Sequence, residues 1–450
     1  MTVRPYRLFF LFFILITAFF LISLSSADYA LLNNDRIAYG VESNGIVLSG
    51  LSKQDAQAKL AALYQEKRKS PILQLHHEGK MWEISASDID LQADSAKTAG
   101  AAYEIGRTNS LLVSSWQILY AACQGKSIDP VITYDESKLQ KALAQIAQNV
   151  NQPSANAYCE LTKDNQILVM PEKIGKRFDY ASWSQKIAPA LHKLDFPQIA
   201  ELPIEEAVPA IKSSDLQSID TILGSYSTHF DPGEYNRSQN IRIGAESLNH
   251  VLLAPEKILS FNDTVGHRVS AAGYKDAPVL VDGEVVPGIG GGICQVSSTL
   301  YNAILLADLK PTERDDHFYP SSYVPIGFDA TVADDLIDFK FQNTMKKNIY
   351  LLTAVYGDTI TIYILGSKSD RPNYEIRLIS ATDKILSPQT ITRYSNELPR
   401  GTQRLEANGR QGYMISAYRV RMQNGQEIGR ELLHQDEYSA KDRVMVIGTK

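Results

Sequence analysis

The feature that most limits how this chain can fold lies at its start. Leu8 to Leu24 is an apolar run whose only polar residues are Thr17 and Ser23, and six of its members are Phe. As a helix rising ~1.5 Å per residue the run reaches about 26 Å, and Tyr6 to Ala27 covers the ~30 Å hydrocarbon core of a bilayer. Arg4 and Arg7 precede it and Asp28 and Asp35 follow. The positive-inside bias therefore makes residues 1–27 a cytoplasmic stub and transmembrane anchor and sends the rest of the chain across. Ser25-Ser26-Ala27 also fits a signal-peptide cleavage site, but the run exceeds an h-region of ~7–15 residues, so an uncleaved anchor is the expectation. With either processing the body folds outside the cytoplasm.

That body has room for several modules, since 450 residues is about three times a ~150-residue domain. Its 44% hydrophobic and 21% charged residues are those of water-soluble domains rather than of a disordered or many-helix membrane chain. With 45 Lys+Arg against 51 Asp+Glu and a net charge of -6, nucleic acid is not an expected partner, because phosphate binding needs a clustered cationic surface. Three cysteines, none in a CxxC pair, are too few for a disulfide scaffold and offer no zinc spacing. No metal or cofactor is expected. Cys123 and Cys159 are candidates for one disulfide in an oxidising exterior, or for two separate thiols.

The pattern divides the body into four segments. In residues 28–125, Ile37-Ala38-Tyr39-Gly40-Val41 and Gly45-Ile46-Val47-Leu48 read as short strands. Ser52 with Asp55 caps a helix carrying Ala56, Leu60, Leu63 and Tyr64, and strands follow at Ile72 to Leu75 and Trp82 to Ile84. Residues 126–214 hold related ingredients: a helix on Leu139, Leu143 and Ile146, strands at Tyr158 to Leu161 and Ile167 to Met170, and a helix ending near Leu194, with Pro203 to Ser214 as a linker. Residues 217–368 are the most distinctive segment. Residues 373–450 alternate as β-strands, with Asn424-Gly425 as a type I′ turn between Tyr413 to Met422 and Glu427 to Leu433. The fold class expected is multidomain α+β: a transmembrane helix, mixed α/β repeats, an α+β domain and a small all-β module whose removal leaves the rest intact.

Chemistry concentrates at Gly288-Ile289-Gly290-Gly291-Gly292-Ile293-Cys294-Gln295-Val296-Ser297-Ser298-Thr299-Leu300-Tyr301-Asn302. Leu300, Ile304 and Ala307 recur at helical spacing from Val296, which places Cys294 at a helix N-terminus. There the free N–H groups and the macrodipole favour a thiolate, more so with an imidazolium beside it. Gly290, Gly291, Gly292 and Gln295 are candidates for a substrate and oxyanion loop, since glycine leaves the backbone open to a ligand. A cysteine nucleophile needs a base and a group to orient it, and His317 and Asp329 are the candidates downstream. Against this stands Cys294 as a small buried hydrophobe and His317 as a surface residue. Arg237, Asn240, Tyr301 and Tyr323 are candidate substrate contacts. Ser297, Ser298 and Thr299 read as caps, and a metal site of His229, His267, Cys294, His317 and Asp329 lacks any supporting spacing.

The segment from about Ile219 to Gly366 resembles the VanW domain family. The likeness rests on Tyr226-Ser227-Thr228, Asn236 to Ile241, Phe261 to Gly266, the glycine-rich Cys294 stretch, Tyr323 to Val332 and Asp338 to Asn343; Phe318 and Phe328 depart from the family pattern. The two preceding segments are similar to peptidoglycan-binding repeats, and the C-terminal glycine spacing resembles the five-glycine (G5) domain of cell-wall and glycan-binding proteins. The resemblance implies a cell-envelope protein linked to glycopeptide-resistance clusters, with stem peptides and glycan as partners. It further implies that Cys294 is the acyl acceptor of an L,D-transpeptidase, with His317 as base and then acid. The competing expectation is a non-catalytic envelope-binding protein. A Cys294 open beside His317 favours the first, and one sealed in core favours the second.

Overall fold

The structure, a computed structural model, describes residues 12–17, 34–281 and 284–450. Residues 12–17 are helical and exposed. No helix of the described residues is long and apolar enough to cross a membrane, and most of the Leu8 to Leu24 run lies outside the described residues. The described chain forms two compact units.

The first unit comprises residues up to Ser154 together with Ile174–Val208. Helix α1 (Lys53–Lys67) starts as its sequence indicates, with the Ser52 side chain accepting from the Asp55 amide, and buries Ala56, Leu60 and Tyr64. Strands β1 (Leu73–His77) and β2 (Lys80–Ile84) form an antiparallel hairpin. Helices α2 (Ser95–Tyr103), α3 (Leu111–Gln124), α4 (Glu136–Val150) and α5 (Tyr180–His192) follow. Strand β3 (Gln198–Glu201) then pairs parallel with β1. One hydrophobic core runs from Ile37 through Leu139, Leu143 and Ile146 to Leu202. Residue 125 is therefore not a boundary, because α4 and α5 fill the same core as α1 and β1. Nor is Pro203 to Ser214 wholly a linker: Ile204–Ala207 pairs antiparallel with Gly175–Phe178.

The second unit comprises Ala155–Lys173 and Pro209–Lys450. The predicted hairpin Tyr158–Leu161 with Ile167–Met170 forms in register but belongs to this unit. Its main sheet is antiparallel, in the order β4 (Thr221–His229), β12 (Thr359–Gly366), β11 (Ile349–Tyr356), β5 (Val251–Leu253). Helix α6 (Tyr235–Leu248) and the largely buried helix α7 (Ile293–Leu306) pack with this sheet around one core. At Gly224 on β4 a Cβ would stand 2.5 Å from the Ala307 amide nitrogen, so only glycine lets the chain after α7 lie this close to the strand. Strands β6 (Ile258–Ser260), β9 (Lys310–Glu313) and β10 (Lys340–Gln342) form a small sheet. A hairpin of β7 (Asp276–Val281) and β8 (Glu284–Ile289) leads into the glycine loop.

The C-terminal segment builds two three-stranded sheets. One contains β13 (Glu375–Leu386), β16 (Gly412–Gln423) and β17 (Gln426–Tyr438); the other contains β14 (Thr390–Ser395), β15 (Gln403–Arg410) and β18 (Lys441–Gly448). The Asn424-Gly425 turn joins β16 to β17 with φ of 50° and 78°, as the type I′ hairpin requires. These strands do not stand apart. Ala417 belongs to the core around α7, and Arg419 donates to the Leu309 carbonyl at 2.7 Å and pairs with Asp308 at 3.2 Å. The expectation of a detachable β module is corrected by these buried contacts.

Candidate active site

The glycine loop fixes where Cys294 points. Gly290 and Gly292 adopt φ of +88° and +108°, the left-handed region that other residues enter at a cost. A Cβ on Gly291 would meet the Pro278 carbonyl oxygen at 2.5 Å. Asn240, buried on α6, clamps this turn by donating to the carbonyls of Gly291 and Lys275, each at 2.9 Å, and accepting from the Lys275 amide at 2.8 Å. Gly292 caps α7, so Cys294 is the second residue of the helix, where unpaired amides and the macrodipole favour a negative sulfur.

The base and its partner come from the segment after α7, which the helix itself holds. Ser298 Oγ accepts from the Ala330 amide at 2.9 Å, and Asn302 donates to the Phe328 carbonyl at 2.7 Å. Asp329, at 1% exposure, is pinned between those two anchors. Its Oδ2 accepts from the His317 amide at 2.8 Å and lies 2.6 Å from His317 Nδ1. Phe328, one of the departures from the family pattern, packs into the core, whereas Phe318 is exposed.

Cys294 is half-buried, with Sγ 3.5 Å from the Val332 carbonyl. Burial opposes its thiolate, but the hydrogen bond and charge of His317 outweigh that, and the thiol pKa is lowered. Burial likewise opposes the His317 cation, yet hydrogen bonds to Asp329 and Cys294 raise its pKa to about 10. Asp329, against its own burial, is held down to about 2 by His317 and Arg314. The three groups form a chain of cysteine, imidazole and carboxylate whose favoured state is thiolate with imidazolium. The Tyr323 hydroxyl stands 3.5 Å from His317 Nε2, and burial beside Cys294 keeps it a neutral phenol.

Other sequence candidates fall elsewhere. Gln295, Asn240 and Tyr301 are at 1% exposure or less and cannot meet a substrate. Gln295 donates to Thr228 and the His229 carbonyl and accepts from Arg237 at 2.7 Å; Tyr301 bonds His434 at 2.9 Å. Their polarity serves buried hydrogen bonding. Arg237 stays partly exposed and faces Glu234 at 3.8 Å. Ser297 and Ser298 hydroxyls are spent on the Ala330 carbonyl. His229 and His267 are exposed beside Asp358 and Asp335, outside the triad. All three cysteines are free, so the disulfide alternative does not hold.

Sequence reasoning missed the groups behind Asp329. Arg314 donates to its backbone carbonyl at 2.7 Å, pairs with its carboxylate at 3.3 Å, and reaches Asp436 at 2.6 Å. Tyr438, fully buried, donates to Asp329 Oδ1 at 2.5 Å and accepts from the Gly327 amide at 3.0 Å. Asp436 and Tyr438 belong to β17, a C-terminal strand. A signal existed: His434, Asp436 and Tyr438 alternate, so they share one strand face, and that face turns inward.

Three family models match this chain. A family described as VanW like protein matches residues 236–365, a peptidoglycan binding domain family matches 82–199, and the G5 domain family matches 380–450. The uncharacterized protein YoaR of Bacillus subtilis (strain 168) is 35% identical over 239 residues, 53% of this chain and 77% of the relative. The chain belongs to the VanW-like family. The vancomycin B-type resistance protein VanW of Enterococcus faecalis (strain ATCC 700802 / V583) is 26% identical over 208 residues, 45% of this chain and 68% of that one. Among solved structures, the IgA1 protease G5 domain aligns with 22% identity over 18% of this chain and 95% of its own, at a TM-score of 0.15. Family membership and the flanking domains make this a cell-wall associated protein with a peptidoglycan binding domain.

Proposed function

We propose that this VanW-like protein is an anchored, extracytoplasmic peptidoglycan L,D-transpeptidase in which Cys294 is the acyl acceptor. The observation that carries the reading is the buried His317–Asp329 pair at 2.6 Å beside a half-buried thiol at a helix start, whose pKa the imidazole lowers. A structural cysteine needs neither partner. The Cys294 thiolate attacks the carbonyl carbon preceding a terminal D-Ala of a stem peptide, and the tetrahedral intermediate forms. The amides of Gly290, Ile293 and Gln295 are committed to neighbouring carbonyls, which leaves those of Gly291, Gly292 and Cys294 as candidate oxyanion donors. When the C–N bond breaks, the imidazolium of His317 gives its proton to the departing D-Ala amine, leaving a thioester. His317, now neutral, takes a proton from the amine of a second stem peptide as it attacks; the C–S bond breaks, and thiolate and imidazolium are restored. The test is incubation of the full chain with defined muropeptides and mass analysis: a cross-linked product with loss of one D-Ala supports the reading, and binding without cross-linking leaves a non-catalytic envelope-binding protein. Anchoring rests on the Leu8 to Leu24 run, and membrane fractionation of the native protein tests it; release of a chain starting at Asp28 would overturn it.

A further inference from the structure

The first unit carries a feature that transfer chemistry does not use. Helix α3 (Leu111–Gln124) contains no Asp, Glu, Lys or Arg, whereas a surface helix facing water normally presents charge there. Leu112, Trp116, Leu119 and Tyr120 are 80%, 64%, 62% and 45% exposed. Their spacing puts them on one face, with the Trp116 and Tyr120 rings stacked at 5.1 Å. Single exposed apolar residues are ordinary, but a continuous stripe marks a contact surface.

The chain outside the described residues says what covers it. The backbone at Gly40 is packed on α3 so tightly that a Cβ would stand 1.7 Å from the Ala121 carbonyl oxygen. Asn34, Arg36 and Tyr39 line one cavity of about 360 Å³ with Ile118 and Ala122 of α3. The chain thus enters this unit alongside α3. From Leu24, where the apolar run ends, to Asn34 is ten residues, at most about 35 Å of extended chain, and α3 itself is about 21 Å long. Anchored by the run, α3 is held within reach of the membrane surface.

We propose that the outward face of α3 lies on the outer surface of the bilayer, with Leu112, Trp116, Leu119 and Tyr120 at the boundary of headgroups and acyl chains; this rests on the anchor reading above and not on the transpeptidase reading. Trp and Tyr suit that boundary because each has an apolar body and a polar atom. The face carries no cation, so the contact needs no anionic lipid and is insensitive to salt. Anchor and face together fix the first unit against the membrane.

The test uses the full chain with Trp82→Phe and Trp183→Phe, which leaves Trp116 as the one indole. It is reconstituted in phosphatidylcholine vesicles, with and without bromine on the acyl chains. Trp116 is expected to lose most of its emission in brominated vesicles, and adding Leu112→Ser with Leu119→Ser is expected to restore it while circular dichroism stays unchanged. A chain that floats with vesicles but keeps full Trp116 emission overturns the proposal and spares the anchor, including the case where a second copy or the chain's own apolar run shields the indole. Quenching unchanged by the Ser pair also overturns it. A chain that does not float with vesicles overturns anchor and face together.

Discussion

Cys159 and Cys294 sit in the same unit, and both are drawn out of bulk water, yet their chemistry diverges. Cys159 is on a hairpin strand at 0% exposure among Ala157, Leu216, Ile219, Tyr350 and Leu365. Its amide donates to the Tyr350 hydroxyl oxygen at 3.1 Å. Burial alone acts on its sulfur and pushes the thiol up to about 11. Cys294 meets burial as well, but His317 faces it and lowers its pKa. Burial is therefore no measure of a thiol's reactivity; the cation beside it decides.

The largest expected effect breaks the comparison at its centre. Cys294→Ala should abolish cross-linking of muropeptides while the chain still unfolds cooperatively, and cross-linking that survives would mean the sulfur is structural. His317→Ala should slow alkylation of Cys294 and reduce transfer by about 10²–10⁴-fold, the usual worth of a general acid–base group; equal alkylation in both proteins would detach the imidazole from the thiol. pH sharpens the contrast. The raised His317 keeps its proton through the neutral range and loses it only as pH rises through about 10, while the lowered Cys294 thiol stays ionised below the ordinary thiol value of ~8.5. Cys294 should then be alkylated at neutral pH, and Cys159 only as pH nears about 11. Parallel pH profiles for the two thiols would remove the distinction.

A smaller effect comes from the C-terminal strand. Tyr438→Phe removes a donor from Asp329 and an acceptor from the Gly327 amide, so denaturant unfolding should show a loss of about 1.5–3 kcal/mol, the worth of a hydrogen bond to a charged group. Its alkylation defect should be milder than that of His317→Ala. A variant with unchanged stability and reactivity would show β17 to be dispensable. The smallest effect is Cys159→Ser, which should leave Cys294 alkylation unaltered and cost about 1–3 kcal/mol for a hydroxyl placed among apolar neighbours.

The helix start at Cys294 was legible because glycines, capping and apolar spacing are local properties, and the same holds for the Ser52 cap of α1 and the Asn424-Gly425 turn. His317 and Asp329 could be picked as residue types in loop-like stretches, but their 2.6 Å approach depends on Ser298 and Asn302 holding the segment at 328–330. Asn240, Gln295 and Tyr301 show the converse: a polar side chain in sequence does not reveal whether its partner is a substrate or a buried group of the protein.

Sequence by itself determined the apolar run, the helix that presents Cys294, the alternating C-terminal strands and the family, since each depends on neighbours within a few turns of chain. Tertiary structure alone decided that residues on both sides of 125 share one core and that Cys159 and Cys294 differ in ionisation. It alone decided, too, that the carboxylate behind His317 is held from more than a hundred residues away, Tyr438 reaching Asp329 across 109 positions. Hydrogen bonds and charge act through distances of a few ångströms, and only the folded chain sets those distances between residues so far apart in sequence.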